Sequence, residues 1–205
     1  MKKIKNDEMD VVFLLDRSGS MSGLESDTIG GYNGYLKKMK GKNVKITTVL
    51  FDNMYEMISK RESIENVSNM DEDIYFTRGS TALLDAIGKT IKFIERSKPN
   101  KVLFIITTDG YENSSIEYDK TKIKNLIKKH DDWEFIYLGA DIDAYSEASS
   151  IGIRADRTSN FSKSKKGFST VFSKLCDLSE SYEEDATIRS NWKDGLEDYL
   201  EENIE

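Results

Sequence analysis

Residues 11–23 read Val-Val-Phe-Leu-Leu-Asp-Arg-Ser-Gly-Ser-Met-Ser-Gly. The first five form a short apolar run that includes β-branched side chains, and a polar, glycine-bearing segment ends it. This pattern predicts a strand buried in a parallel sheet, followed by a loop at its carboxyl end. Downstream, Ile29, Tyr32, Leu36 and Met39 share one face of a helix over Ser26–Met39, with Ser26 as N-cap and Asp27 in the first turn. Gly30, Gly31 and Gly34 oppose that helix by about 1 kcal/mol each, so they are expected to serve close packing on the sheet. Lys45–Phe51 reads as a strand, Asp52-Asn53 as a turn, and Met54–Ser59 as the returning strand of a hairpin.

The alternation continues to the end of the body. Residues 60–77 read as connection, with a short strand near Ile74–Phe76. Leu84, Ile87, Ile91 and Ile94 mark a helix over Ala82–Arg96 that stops before Pro99. Lys101–Thr107 is the clearest buried strand. A helix at about Glu117–Lys129, a strand at Glu134–Leu138, a short helix at Ala144–Ser150 and a last strand at Thr158–Phe161 follow. Phe168, Val171, Phe172, Leu175 and Leu178 mark the final helix. The order β-α-β-β-α-β-α-β-α-β-α predicts an α/β fold: a doubly wound, mainly parallel sheet with one antiparallel edge strand and helices on both faces. Sites in such sheets lie beyond the carboxyl ends of the strands, here the loops after Leu15, Thr107 and Leu138.

Composition narrows the function classes. The 205 residues carry 30 cationic and 37 anionic side chains, a net charge of −7. Residues 180–205 hold ten acids and two bases, so the remaining body is close to neutral. We therefore divide the chain into a body, 1–180, and an acidic C-terminal tail, 181–205. In that tail Trp192, Leu196, Tyr199 and Leu200 are spaced for an amphipathic helix. The acidic balance argues against a nucleic-acid partner. One cysteine excludes an intramolecular disulfide and a cysteine-cluster zinc site, and one histidine removes imidazole-rich metal sites and Ser-His-Asp chemistry. No apolar run is long enough for a signal peptide or membrane span. The expected location is the cytoplasm, without membrane association, and Cys176 reads as a buried packing residue. The Lys120–Lys129 cluster reads as the solvated face of a helix, and His130 as a partner for that helix's C-terminal dipole.

Three segments carry unusual chemistry: Asp16-Arg17-Ser18-Gly19-Ser20, Arg78-Gly79-Ser80-Thr81, and Thr107-Thr108-Asp109-Gly110. Brought to one sheet end, Asp16, Ser18, Ser20, Thr81 and Asp109 offer two carboxylates and three hydroxyls. Hard oxygen ligands of this kind suit Mg²⁺, with Mn²⁺ or Ca²⁺ as substitutes, and disfavour zinc and copper. Each segment alone has a plain structural role: a polar turn capping the next helix, Thr81 as N-cap of the 82–96 helix, and Asp109-Gly110 as a turn. Their joint occurrence, each at its place in an α/β sheet, is what points to a metal.

These residues resemble the metal-ion-dependent adhesion site of the von Willebrand factor A domain. That site has Asp-x-Ser-x-Ser after the first strand, a Thr in a Gly-x-Thr loop and an Asp in a Thr-Asp-Gly turn after the fourth. The resemblance covers residues 8–180, and its texture is similar to stand-alone bacterial or phage members. It implies a non-enzymatic binding module. Ser18, Ser20 and Thr81 hydroxyls would touch the cation, Asp16 and Asp109 would hold it directly or through water, and one position would stay open for a partner's Asp or Glu. Gly often follows the first Asp in animal integrin-type sites. Arg17 stands there instead and puts a cation beside the site. Arg17 and Arg78 would favour an acidic ligand, or are simply solvated; Glu112 lies just past the Asp109 turn.

Two other readings compete. A Mg²⁺-dependent hydrolase or phosphoryl-transfer enzyme would use the same cation, but a haloacid-dehalogenase pattern needs a second Asp where Ser18 stands. Gly88-Lys89-Thr90 lacks the first P-loop glycine, Leu83 standing there, and lies within a helix. The chain can also be a subunit of a phage or ATPase-associated assembly with a structural metal. Finally, a carboxylate of the acidic tail can serve as the ligand for a neighbouring copy's metal, giving self-association.

Overall fold

The structure, a computed structural model, describes residues 8–198. The elements are β1 (Met9–Asp16), α1 (Glu25–Met39), β2 (Val44–Phe51), β3 (Tyr55–Ser63), α2 (Leu83–Glu95), β4 (Lys101–Thr108), α3 (Lys120–Lys129), β5 (Glu134–Ala140), α4 (Ala144–Ser150), β6 (Thr158–Phe161) and α5 (Lys165–Asp185). The sheet runs β3-β2-β1-β4-β5-β6, with β3 antiparallel at one edge and the other strands parallel. The chain winds outward from β1 in one direction, then returns past it to β4. The crevice where strand order reverses therefore lies between β1 and β4.

Strand alternation divides β1 between two cores. Val11, Phe13 and Leu15 pack with α1 and α5, while Val12 and Leu14 pack with α2, α3 and α4. Phe13 meets Tyr32 and Tyr35 of α1 edge-on, at 5.5 and 4.8 Å. Both faces are covered, which explains why the parallel strands read as unbroken apolar runs.

Several expectations are corrected. The glycines of α1 do not pack on the sheet: a Cβ on Gly31 would lie 2.1 Å from the Phe172 ring of α5, so that glycine lets two helices approach. Gly30 and Gly34 have no such neighbour. Ser26 is not the cap of α1, which starts at Glu25 after Leu24. No strand forms at residues 74–76; that stretch turns on Asp71, whose carboxylate accepts from the Asp73 and Ile74 amides. Gly88 lies inside α2, where a Cβ would lie 2.4 Å from the ring of Tyr118. His130 caps α3, stacks on Trp133 at 4.0 Å and sits 3.1 Å from Glu95. Cys176 is buried, and burial pushes its thiol up to about 11.

The acidic C-terminal segment is not an independent helix in its described part. α5 continues to Asp185 and ends at Ala186 in the left-handed conformation (φ 53°). Residues 186–198 follow as turns, with Trp192 and Leu196 buried in the α1/α5 core. The reason is the edge of β6, whose outer backbone groups need partners. Lys193 donates to the Thr158 carbonyl at 2.8 Å, Glu197 accepts from the Asn160 amide at 3.2 Å, and the Trp192 indole donates to the Asp156 carbonyl at 2.8 Å. Tyr199 and Leu200 lie outside the described residues. Among the described residues no helix is long and apolar enough to cross a membrane.

Candidate metal centre

The site starts from Asp16, the last residue of β1. It is buried, and its backbone carbonyl accepts from the Tyr75 hydroxyl. One carboxylate oxygen accepts from the Ser18 amide at 2.7 Å, an Asx turn that starts the Gly19–Met21 single-turn 3₁₀ helix. The other accepts from the Thr108 hydroxyl at 2.6 Å, across the β1–β4 crevice. Burial dominates the balance and raises the Asp16 carboxyl to about 6, against the lowering effect of the Thr108 and Ser18 hydrogen bonds; Asp109 adds repulsion.

The turn brings Ser18 and Ser20 side by side, with their hydroxyl oxygens 3.0 Å apart. Ser20 in turn donates to Asp109 Oδ1 at 2.5 Å. Thr81 arrives from the loop before α2. It is not the cap of that helix, which begins after Ala82. Instead Asn113 clamps its backbone, accepting from the Thr81 amide at 2.9 Å and donating to its carbonyl at 3.0 Å. Gly79 is needed in the same loop: its φ is +68°, and the Asn53 side-chain oxygen would lie 2.0 Å from a Cβ there. Its carbonyl accepts from the Gly19 amide at 3.1 Å, joining the loop to the Asp16–Ser20 turn.

The five residues therefore meet. Above Gly110 there is a cradle that a Cβ would enter: it would lie 2.9 Å from Thr81 Oγ1, 3.3 Å from Ser20 Oγ and 3.8 Å from Asp16 Oδ2. The carboxylate of Asp109 is buried, yet its Oδ2 receives no directed hydrogen bond. The ammonium of Lys163 pairs with that oxygen as a salt bridge at 2.8 Å. Lys163 also donates to the Ser20 carbonyl. Among the described residues no group of three or more His, Cys, Asp or Glu converges. The donor set of two carboxylates and three hydroxyls fits a hard divalent cation and gives a soft one little to bind.

The structure also shows what local sequence could not. Thr108 orients Asp16 and lies one residue before Asp109, inside the motif but without an assigned role. Glu112 does not face the centre; it accepts from the amides of Leu84, Ser114 and Ser115 and holds the start of α2. Arg17 and Arg78 are not free cations awaiting an acidic ligand. Arg17 is fully buried and, like Arg78, donates to Asp52 Oδ2 at 2.9 Å. The loop after β5 supplies no member of the set; the β6–α5 connection reaches the site instead, through Lys163.

The fold is shared with solved structures. The von Willebrand factor A domain of the type V pili tip protein Mfa5 from Porphyromonas gingivalis superposes with a TM-score of 0.63 at 12% identity, over 85% of this chain and 95% of that one. The chain has the von Willebrand factor A fold. Proximal thread matrix protein 1 of the mussel byssus, with zinc in its metal-ion-dependent adhesion site, gives 0.63 at 16% identity, over 84% of this chain but only 46% of its own. The manganese-loaded TRAP protein of Plasmodium vivax gives 0.58 at 17% identity, over 77% of this chain and 70% of that one. The chain thus spans less than half of the mussel protein. No family model matches the sequence, and no curated protein matches it.

Proposed function

We propose that this chain is a non-enzymatic, divalent-cation-dependent protein-binding module that captures an Asp or Glu side chain of a partner. The observation that carries the reading is the cradle above Gly110, where Asp16, Ser20 and Thr81 oxygens converge and Ser20 donates to the Asp109 carboxylate. Asp16, Ser18, Ser20, Thr81 and Asp109 would hold the ion, with Mg²⁺ the assignment that the oxygen set favours. A bound divalent cation supplies an electron-pair acceptor for one further anionic oxygen. The chain's own residues do the rest. Three of the five donors are neutral hydroxyls, so the two carboxylates only just balance the ion and leave it an appetite for a partner's carboxylate. The Ser18 amide and Thr108 fix Asp16, and Asn113 fixes Thr81, so the set is organised in advance.

The surroundings suit a protein ligand. Met54, Phe76, Tyr111 and Ile116 are the large hydrophobic side chains most exposed among the described residues, Ile116 at 90%. Met54 and Tyr111 lie on the loops that follow β2 and β4, Phe76 lies between β3 and α2, and Ile116 lies between β4 and α3. An acidic residue flanked by apolar ones is the partner chemistry these side chains fit. A cytoplasmic location belongs to the same reading and rests on the single, buried cysteine. Capture of a tail carboxylate by a neighbouring copy belongs to it as well; because Trp192 and Leu196 are core residues, charge-neutral tail variants test it better than truncation.

Calorimetric titration of Mg²⁺ and Mn²⁺ into the wild type, Asp16→Ala and Ser18→Ala is the direct test. The expected result is saturable binding in the wild type, lost in both variants while circular dichroism stays native; retained affinity in both overturns the reading. A phosphatase and nucleotidase screen with either metal should show no turnover, and turnover abolished by Asp16→Ala would instead establish an enzyme.

A further inference from the structure

We propose that Lys163 is the resident cation of this site: it neutralises Asp109 and pins the Ser18–Ser20 turn, and thereby opposes and sets the affinity for the divalent ion. The inference rests on the metal reading above and adds a residue that lies outside the five-residue set. The ammonium is 2.8 Å from Asp109 Oδ2 and donates to the Ser20 carbonyl, so it touches two of the three segments that build the centre. Its placement is built rather than incidental. β6 ends at Phe161, α5 starts at Lys165, and the short link between them is held at both ends. The Lys163 amide donates to the Asp141 carboxylate at 3.2 Å, and Ser164 caps α5 by accepting from the Gly167 amide at 3.1 Å. Gly167 leaves no room for adjustment, because a Cβ there would lie 2.0 Å from the Ser162 carbonyl oxygen.

The charge arithmetic gives the consequence. Asp16 and Asp109 carry two negative charges, and Lys163 returns one. A divalent cation entering the cradle meets a site whose net charge is −1 instead of −2, with a like charge on one of its ligands. Removing the lysine charge should therefore tighten metal binding, by about tenfold for a unit charge some 5 Å away in a water-like dielectric. The same lysine leaves the loaded site with one surplus positive charge, which matches a single incoming carboxylate.

The sign of the effect separates this role from a structural one. A lysine that merely held the loop together would, on removal, loosen the ligands and weaken metal binding. Mg²⁺ and Mn²⁺ are titrated calorimetrically into the wild type, Lys163→Gln, Lys163→Arg and Asp16→Ala, at low and at 0.5 M salt. The inference expects Lys163→Gln to bind about tenfold more tightly than the wild type, with a smaller gain at high salt, and Lys163→Arg to stay within about twofold. Unchanged or weaker binding in Lys163→Gln, with the wild type binding and Asp16→Ala not, overturns this inference alone. No binding in any variant overturns both it and the metal reading.

Discussion

Two buried ionic clusters stand side by side at the carboxyl end of the sheet, and they differ in how their carboxylates are paired. In the first, Asp52 is fully buried and its oxygens are used within the chain. Oδ2 accepts from Arg17 and Arg78, both at 2.9 Å, and Oδ1 accepts from the Met54 amide at 2.6 Å. Arg17 also lies 2.8 Å from Glu56. In the second, Asp109 is also buried; its Oδ2 pairs with Lys163 at 2.8 Å, its Oδ1 accepts from Ser20 at 2.5 Å, and the Ser18 hydroxyl lies 3.0 Å from that of Ser20. The first cluster is closed by cations of its own chain and ties β1, β2 and the Arg78–Thr81 loop together. The second has one cation of its own chain, Lys163, 2.8 Å from Asp109 Oδ2, and hydroxyls where the first has guanidinium groups.

The largest effect should come from breaking the closed cluster. Asp52→Ala leaves the Arg17 guanidinium buried with only the half-exposed Glu56 as partner, so stability should fall by about 3–5 kcal/mol. Asp109→Ala leaves Lys163 able to reach water, since its side chain is 30% exposed, and should cost about 1 kcal/mol or less in EDTA. Urea unfolding of both variants in EDTA measures the contrast. Equal losses would erase the distinction between a structural cluster and a ligand site.

The reach of the sequence divides along the same line. The layered sheet and the meeting of Asp16, Ser18, Ser20, Thr81 and Asp109 at one sheet end were legible because each depends on a local pattern: apolar runs, 3.6-residue spacing, and motifs at strand ends. Even β6, four residues long, follows from local signal. Arg17 was misread as a free cation because its partner Asp52 is 35 residues away, and nothing near Arg17 announces that contact. Lys163 sits in Ser-Lys-Ser-Lys-Lys, which reads as an ordinary solvated stretch; only the turn from β6 into α5 aims it at Asp109. Gly31 shows the same limit, since its need for close packing was readable but the identity of its neighbour, Phe172, was not.

A smaller effect tests the open cluster without metal. Burial raises the Asp16 carboxyl to about 6, whereas in the unfolded chain it ionises near 3.8. Between those values the folded state holds a proton that the unfolded state has released, so this group's contribution to stability falls as pH rises from about 4 to about 6. Asp16→Asn removes that titration. In EDTA its stability relative to the wild type should climb across the same window, by up to about 3 kcal/mol, and stay level above pH 6. Added Mg²⁺ should reverse the order at pH 7.5 by stabilising only the wild type. A flat difference across the window would mean that the Asp16 carboxylate is no better tolerated in the unfolded chain than in the fold.

The smallest effect belongs to a third carboxylate that is paired as Asp52 is, but in water. Glu95 is held down to about 2 by hydrogen bonds from Lys92 first and Lys129 next, with His130 adding to them. Its folded value lies below the unfolded one near 4.5, so the stability it contributes is complete above about pH 4.5 and disappears as pH falls towards 2. Because the cluster lies at the surface, solvent weakens it, and Glu95→Gln should cost well under about 1 kcal/mol at pH 7 and nothing at pH 2. A cost as large as that of Asp52→Ala would show that pairing alone governs the energetics. The expected small, acid-sensitive cost assigns the difference to burial, which is what makes Asp52 a fixed strut.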